Sequence, residues 1–441
     1  MKLDPTMTDV RLPIEPSVAD VIRQLQRDGH EAYIVGGAVR DLLLELTPKD
    51  YDIATSARPE QVKKIFGRRA IIIGRRFRLV HVFAGGHTFE VSTFRREPTM
   101  EERSTRVTDD GVMIWDDNQW GTHAQDVVRR DFTVNAMYYD PVGECIVDPA
   151  GGVADLRAGH VRAIGNAAER LAEDPVRMLR AIKLVAQYGL RLEASLDQAL
   201  REGASRITMS SKARGFEEIL KIFAKPFCLP TIQICRDYGL LEHFWPGLNA
   251  ALAAPEGAEL ERLLAERDRR VAQGVFGKSK TLALATIAYS FVAARLRDEV
   301  PDPETPFWEA HPEVHDASRA MFLDFFAPYP VPKFLSARAR DVILALPALL
   351  YPDQPGHLPH HPQYRYVLEL YYQLCLANGW DESVLRQWPP PIERHEPREA
   401  GHHGEENRFR HGRRHHRDRR RGGPPEHDRP MPSVAPGTDE E

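Results

Sequence analysis

The stretch YIVGGAVRDLLLELTPKDYDI, residues 33–53, constrains the fold of this chain more than any other. It opens with a short apolar run, Tyr33 to Val35, which stops at Gly36 and Gly37. Glycine allows backbone angles that are closed to other residues and lets a ligand approach closely. The residues that follow favour a helix with Arg40 in its first turns, and a second short apolar strand ends the stretch. The pattern therefore predicts strand, glycine turn, helix, loop and strand in that order.

Two features of this stretch suit phosphate and metal chemistry. A glycine turn at a helix N-terminus offers an anion free N–H groups and the positive end of the helix dipole. Asp50 and Asp52 follow, and side chains two apart on a strand point to the same face. Two such carboxylates repel each other unless a cation lies between them, and their oxygens suit Mg²⁺. Each feature alone is more often an ordinary turn or a solvated strand end, but together they predict phosphoryl or nucleotidyl transfer.

The bulk properties of the chain narrow its class. It has 441 residues, enough for about two or three domains, and the composition of a globular protein with a formal net charge of -5. Its four cysteines are scattered without a Cys-x-x-Cys pair, which indicates neither a zinc site nor a disulfide framework and favours a reducing compartment. No apolar run approaches the length of a membrane span, and the first residues lack an apolar signal core. We therefore expect a cytoplasmic protein without membrane contact.

A hairpin is predicted shortly after the opening stretch. Two alternating runs flank Gly85-Gly86, which is typical of two strands joined by a turn. In the second run Phe89 and Val91 would point into the core, so Glu90 would share the opposite face with Ser92. A lone strand carboxylate is more often a solvated residue, but this face could also be the side of the sheet that carries the chemistry.

Two further charged motifs lie downstream. Residues 128–137 read VRRDFTVNAM, and residues 173–181 read EDPVRMLRA. In the second motif Asp174 is predicted to cap a helix whose first residue is proline, and Arg177 and Arg180 lie on one face of that helix. On local grounds alone, the first motif is equally well explained as an amphipathic helix start capped by Asp131, and the second as a surface helix with solvated arginines.

In this order the motifs resemble the class II branch of the nucleotidyltransferase superfamily, which holds tRNA CCA-adding enzymes and bacterial poly(A) polymerases. The matching signatures are G-G-x-V-R-D with D-x-D, R-R-D-F-T-x-N-A, D-P-x-x-G followed by D-L-x-x-x-x-I-R-x-I-G, and E-D-x-x-R-x-x-R. The resemblance covers residues 33–245, with Val161 in place of a common isoleucine, and is weak beyond them. The basic segment from Gly74 to Arg78 is similar to the G-R-R-F-x-L-x-H-V stretch of bacterial poly(A) polymerases, whereas CCA-adding relatives usually carry a less basic segment.

The resemblance implies roles for the motif residues. Asp50 and Asp52 would hold two Mg²⁺ ions, for which Mn²⁺ can substitute, and Glu90 would be a third catalytic or supporting carboxylate. Asp174 would accept from an exocyclic amine of the incoming base, and Arg177 would donate to a ring nitrogen or carbonyl. The residues implied in nucleotide binding are Gly36, Gly37, Arg40, Arg130 at the triphosphate, Asp131 and Asn135 at the ribose or in orienting the nucleotide, Asp174 and Arg177 at the base, and Arg180, which together with Glu173 would brace Asp174 and Arg177.

The implied fold is α+β, with an N-terminal nucleotidyltransferase head that contains a mixed sheet with flanking helices. An all-α neck and an all-α RNA-binding body would follow, and a disordered tail rich in Arg and His would end the chain. Residues 408–421 of that tail form a basic run that would add weak, salt-sensitive phosphate contacts to RNA, although a solubilising tail explains the composition too. Residues 96–125 are predicted to form a mobile loop over the site, although an ordinary surface insertion explains them too. The predicted segments are 1–165 for the head, 166–245 for the neck, 246–388 for the body and 389–441 for the tail.

These inferences predict a poly(A) polymerase, a monomer that adds AMP from ATP to the 3′ ends of mRNA, small RNA or tRNA without a template. A CCA-adding enzyme is the first alternative, with the same chemistry and a different product. A catalytically inactive nucleotidyltransferase that only binds RNA is the second, and the intact Asp50, Asp52 and Arg130 argue against it.

Overall fold

The computed structural model describes residues 6–74, 78–97, 119–277, 279–299 and 312–391. Residues Met1–Ile392 cluster as one compact unit, which holds the predicted head, neck and body segments. The second unit, Glu393–Glu441, lies outside the described residues, as do most of the predicted loop and Arg75, Arg76 and Phe77 of the basic segment. The first unit begins with a mixed sheet and its helices and continues as helices, which confirms the predicted α+β class.

The head is built on one mixed sheet. Eight strands form it in the spatial order β1-β8-β7-β2-β3-β6-β5-β4. Neighbouring strands are antiparallel, except that β3 and β6 run parallel. The strands are β1 (Thr6–Asp9), β2 (Ala32–Val35), β3 (Asp52–Thr55), β4 (Ala70–Ile73), β5 (Leu79–Ala84), β6 (His87–Thr93), β7 (Tyr138–Asp140) and β8 (Cys145–Asp148). A separate parallel pair joins β9 (His160–Val161) and β10 (Arg191–Leu192).

Short helices flank the head sheet. The first buries an apolar stripe with helical spacing, which includes Val18, Ile22 and Leu25. This helix begins at Pro16, because proline is favoured in the first turn, and Glu15 takes the N-cap position. The helices of the head are α1 (Pro16–Arg27), α2 (Gly37–Leu43), α3 (Pro59–Phe66), α4 (His123–Arg129) and α5 (Gly152–Arg157).

The rest of the described chain is helical apart from short turns and the pair β9–β10. Trp245 lies at the centre of the packing, where its indole N–H donates to the Phe325 carbonyl at 2.7 Å and its ring contacts Phe223. One connected core runs from Leu12 in the head to Trp388. The helices are α6 (Ala167–Glu173), α7 (Val176–Tyr188), α8 (Ala194–Gly203), α9 (Lys212–Phe223), α10 (Cys228–Asp237), α11 (Leu241–Phe244), α12 (Pro246–Ala253), α13 (Gly257–Ala272), α14 (Lys280–Glu299), α15 (Pro312–Phe326), α16 (Lys333–Leu344) and α17 (Tyr364–Asn378).

Two expectations from composition can be compared with the structure. All four cysteines are buried free thiols, as the absence of a disulfide pattern predicts. In the described part of the chain, no helix has the length and apolar character that crossing a membrane requires.

Candidate active site

Three acidic side chains form a carboxylate row, defined here as Asp50, Asp52 and Glu90. Strands β3 and β6 pair in parallel so that Asp52 lies opposite Glu90. On β6, Phe89 and Val91 are buried and Glu90 is exposed, which confirms the predicted orientation of Glu90. Strand β3 begins only at Asp52, so Asp50 lies in the segment that leads into it, and the same-face argument from strand spacing does not apply to Asp50.

The row is electrostatically unfavourable as it stands. The pKa of Asp52 is raised to about 6, first because surrounding protein partly shields its carboxylate from water and second because Glu90 lies nearby. Arg130 acts in the opposite direction, and Asp50 adds a smaller repulsion. Within the described ranges, no group of three His, Cys, Asp or Glu residues forms a candidate metal site. A divalent cation bound to the row together with substrate oxygens would relieve the repulsion between these carboxylates.

Arg130 lies beside the glycine turn. Gly36 has a positive φ of 70°, which side chains rarely allow, so this position favours glycine. A Cβ built there would lie 3.5 Å from Nη1 of Arg130, in ordinary contact. The Arg130 guanidinium donates to Asp126 Oδ2 from Nη2 at 3.1 Å and from Nε at 3.2 Å, and to the hydroxyl of Tyr138 at 2.8 Å. Nη1 donates to the Asn135 carbonyl at 3.2 Å. These contacts hold the guanidinium against the turn and leave 21% of its side chain exposed.

Asp126 and Tyr138 are site residues that the sequence reasoning missed. Burial alone would raise the pKa of the Asp126 carboxyl, but Arg130, the Tyr138 hydroxyl and a backbone N–H outweigh it and bring that pKa below its ordinary value. Tyr138 donates to Asp126 at 2.8 Å, and the ring of His123 packs edge-on against it at 4.3 Å between centroids. Asp126 precedes Arg130 by one helical turn, and that spacing could have identified it. Tyr138 lies on β7, and nothing local connects it to Arg130.

Five residues form a bridging network between head and neck: Arg40, Asn135, Asp131, Arg180 and Glu218. Nη1 of Arg40 donates to Asn135 Oδ1 at 2.6 Å, and Nδ2 of Asn135 donates to Asp131 Oδ1 at 3.1 Å. The other oxygen of Asp131 accepts from Nη1 of Arg180 at 3.2 Å, and Nε of Arg180 lies 4.0 Å from Glu218. The network therefore joins the first two head motifs to helices α7 and α9.

Both ends of the bridging network are buried and paired. Arg40 is 8% exposed, donates to Asp41 at 2.8 Å and to the Tyr188 hydroxyl at 2.5 Å, and stacks on the Tyr188 ring. Glu218 is 3% exposed and accepts from Lys183 and from Lys221. Because its donors are occupied by protein side chains, Arg40 can influence a nucleotide most directly by holding Asn135 in place.

The third motif lies at the break between α6 and α7. Helix α7 begins at Val176 with Pro175 as its N-cap, so the predicted cap at Asp174 is wrong by one residue. Oδ2 of Asp174 instead accepts from Arg214 at 2.7 Å, and its buried Oδ1 has no hydrogen-bond partner among the described residues. Burial lowers the pKa of Arg177, whose Nη1 donates to the Arg170 carbonyl at 2.7 Å and to Glu173 at 3.2 Å.

Of the two residues expected to brace Asp174 and Arg177, Glu173 contacts that pair and Arg180 does not. Glu173 contacts Arg177, as the resemblance implies. Arg180 pairs with Asp131, so it braces the second motif from the neck side. Arg180 can therefore affect Asp174 and Arg177 only indirectly.

Arg170 is a third residue that the sequence reasoning missed. It is 7% exposed on α6 and pairs with Glu97 at 2.6 Å and with Glu173 at 2.7 Å. Its Nη2 also donates to the carbonyls of Arg129 and Arg130 at 2.9 and 3.0 Å, at the C-terminal end of α4. A cation at that end of a helix satisfies open carbonyls and complements the helix dipole.

Comparisons with known proteins identify the family to which the chain is similar. The family described as "Poly A polymerase head domain" matches residues 32–162, and the family "Probable RNA and SrmB- binding site of polymerase A" matches residues 189–252. Poly(A) polymerase I of Haemophilus influenzae is 36% identical over 380 residues, which cover 84% of this chain and 82% of that protein. The CCA-adding enzyme of Geobacillus kaustophilus is 37% identical over 238 residues, or 54% of this chain and 56% of that protein.

Solved structures are also similar to most of the chain, and one of them serves as an example. It is the crystal structure of the Bacillus stearothermophilus CCA-adding enzyme in complex with CTP, with a TM-score of 0.60 and 26% sequence identity. The match covers 85% of this chain and 82% of that one.

Proposed function

The chain belongs to the tRNA nucleotidyltransferase/poly(A) polymerase family, and on that premise we propose that it adds AMP from ATP to RNA 3′ ends without a template. The observation that carries the proposal is the carboxylate row beside Arg130, with Asp52 and Glu90 opposite each other on parallel strands. Poly(A) addition is preferred because a poly(A) polymerase I aligns over more than four fifths of both chains, whereas the CCA-adding enzyme of Geobacillus kaustophilus aligns over about half. Other poly(A) polymerase I relatives align over 58% of this chain.

The carboxylate row fits a magnesium site of the kind that works with a bound triphosphate. Mg²⁺ is usually held by one or two carboxylates together with substrate phosphates, and the row offers Asp52 with Asp50 in such an open arrangement. Two Mg²⁺ or Mn²⁺ ions there would supply Lewis-acid help to the 3′-hydroxyl and to the leaving pyrophosphate. Glu90 would support Asp52 from the next strand.

The triphosphate would lie against Arg130 and the glycine turn. A guanidinium fork donates two parallel hydrogen bonds to phosphate oxygens, which suits Arg130 better than a lysine would. Asp126 and Tyr138 hold one edge of the guanidinium, so little side-chain freedom is lost when phosphate binds. Asp131 and Asn135, already fixed by the bridging network, would orient the ribose.

The base would be read by Asp174 and Arg177. Asp174 has acceptors only, and its Oδ1 is the oxygen that lacks a partner in the described part of the protein. An exocyclic amine would satisfy that oxygen, and Arg177 would donate to the neighbouring ring nitrogen. ATP offers this pattern and GTP offers the reverse. CTP also offers it, so this pair of residues does not exclude CTP.

The test is nucleotide addition to two RNAs, a generic oligonucleotide and a tRNA transcript that lacks its CCA end. Each is incubated with one nucleotide at a time and with all four, and the products are separated on a sequencing gel. ATP alone should extend both RNAs into long ladders, and CTP alone should extend neither. Addition of C, C and A to the tRNA followed by a stop would identify a CCA-adding enzyme. RNA binding without any extension would identify an inactive relative.

CCA addition remains the second candidate, because a CCA-adding enzyme in complex with CTP is among the solved structures that match most of the chain. The predicted phosphate contacts of the basic run at 408–421 also remain a prediction, since that run lies outside the described residues.

A further inference from the structure

Three side chains from three neighbouring strands stand in line on the site face of the sheet. Strands β5 and β6 are antiparallel and place His81 opposite Glu90, while β6 and β3 place Glu90 opposite Asp52. Side chains directly opposite each other on neighbouring strands share a face of the sheet and lie within contact distance. His81 therefore continues the carboxylate row on its far side.

The imidazole is aimed at Glu90. Its Nε2 lies 3.6 Å from Oε1 of Glu90, slightly beyond hydrogen-bond length. This nitrogen is buried and has no hydrogen-bond partner among the described residues, which is uncommon for a buried polar atom. Val80 and Val82 flank His81 on β5 and are buried in the core on the other face of the sheet. Their burial fixes the strand so that His81 stays on the face that carries Glu90.

We propose that His81 is a positioning residue, which donates its Nε2–H to Glu90 and holds that carboxylate in the orientation that supports the metal ligand Asp52. This inference rests on the proposed function, because it gives Glu90 its role beside the metal. Carboxylates at metal sites are commonly oriented by hydrogen bonds from side chains that do not touch the metal. Without the donor, Glu90 is an exposed strand side chain that is free to change rotamer.

The direct readout is Mn²⁺ binding to the full-length protein, followed by electron paramagnetic resonance without ATP or RNA. His81→Leu removes the donor and should weaken Mn²⁺ binding roughly tenfold. The Mg²⁺ concentration for half-maximal AMP addition should rise by a similar factor, with the KM for RNA unchanged. His81→Gln keeps an N–H donor and should recover most of both losses.

His87→Leu is the matched control. His87 lies on the same hairpin, but its ring faces Glu15 at 3.9 Å, away from Asp52. The same substitution at this position should leave Mn²⁺ binding and the Mg²⁺ requirement unchanged. His81→Phe keeps the ring volume and lacks the donor, so it should behave like His81→Leu and replaces it if that variant does not fold.

The decisive comparison repeats the substitution in a Glu90→Gln background. If His81 acts through Glu90, His81→Leu should cause no further loss of Mn²⁺ binding there. An equal loss in both backgrounds, or no loss in either, would overturn the inference. Because Mn²⁺ binding is measured without substrate, these outcomes are independent of which nucleotide, if any, the protein adds.

Discussion

In the carboxylate row, acidic side chains from β3 and β6 lie side by side, whereas in the bridging network acidic and basic side chains alternate from head to neck. Within the row, the pKa of Asp52 is raised, first because surrounding protein partly shields its carboxylate from water and second because Glu90 lies nearby. In the network, Glu218 is almost fully buried, yet Lys183 and Lys221 bring its pKa below its ordinary value even though burial acts in the opposite direction.

Charged side chains therefore serve two different purposes around this site. The groups of the network are already paired within the protein, so the network joins head to neck and fixes Asp131 and Asn135 before any ligand binds. The row carries uncompensated negative charge, which destabilises the fold slightly and becomes favourable when a cation arrives. Unfavourable charge of this kind is retained where it serves a ligand.

The largest expected effect is that of Asp52→Asn. It should lower nucleotide addition by several orders of magnitude while sparing RNA binding, because a metal ligand is lost. The folded pKa of Asp52, about 6, lies above its ordinary value, so at neutral pH the ionised carboxylate works against folding. The substitution removes that charge, and thermal unfolding at pH 7 without metal should occur at a slightly higher temperature.

Asp20→Asn is the control for this prediction, since Asp20 is exposed on α1 and pairs only with Arg23 in the described structure. It should change neither activity nor melting temperature. If Asp52→Asn extended RNA at the wild-type rate in Mg²⁺, the carboxylate row would not be the metal site. One that melts earlier would show that the row is not under electrostatic strain.

The second prediction breaks the network instead. Glu218→Gln should destabilise the protein by roughly 2 kcal/mol, because Lys183 and Arg180 lose the charge that compensates their partial burial. The measurement is the midpoint of denaturant unfolding. Glu217→Gln, one residue earlier on the same helix and exposed, should stay within experimental error of the wild type. If the two variants are equally stable, the network does not hold the neck.

The third prediction distinguishes base reading from bracing. Arg177→Ala should lower ATP use and shrink the preference for ATP over GTP by tens-fold or more, because the mismatched polar groups of the wrong base no longer meet a fixed donor. Arg180→Ala should instead lower the use of all four nucleotides alike, since Arg180 acts through Asp131. Single-nucleotide incorporation with both variants measures this. An equal loss for every nucleotide in Arg177→Ala would assign Arg177 to structure or to the triphosphate.

The smallest effect is the dependence of metal binding on pH. Asp52 must be ionised to bind a metal, and its folded pKa is about 6. Mn²⁺ affinity should therefore be flat above that pH and fall roughly tenfold per unit below it. Titration of Mn²⁺ binding between about pH 8 and pH 5 checks this. An affinity that stays flat down to pH 5 would mean that Asp52 titrates lower than its surroundings indicate.

The sequence predicts well what depends on neighbours along the chain. The alternating pattern around Glu90 correctly predicted that its side chain points away from the core. The glycine turn before α2 also lies where the pattern predicts it. No local pattern predicts that Asp52 pairs with Glu90, because a parallel pair joins strands that are distant in sequence; only the family resemblance implied that Glu90 supports the two aspartates. Tyr138 and Glu218 were missed for the same reason: their partners are reached only in the fold. The cap at Asp174 failed because a proline and an aspartate side by side both suit a helix start.

Arg170 limits how the head of this protein can be joined to the neck of another family member. It belongs to the first neck helix by sequence, yet its guanidinium closes the last turn of α4, the head helix that leads into Arg130. A head excised after residue 165 would lose that closure and expose the apolar surface that the neck covers. The two segments should therefore exchange amide protons as a single unit. A chimaera that joins this head to a foreign neck needs an arginine at the position of Arg170 if the arginine beside the glycine turn is to keep its place.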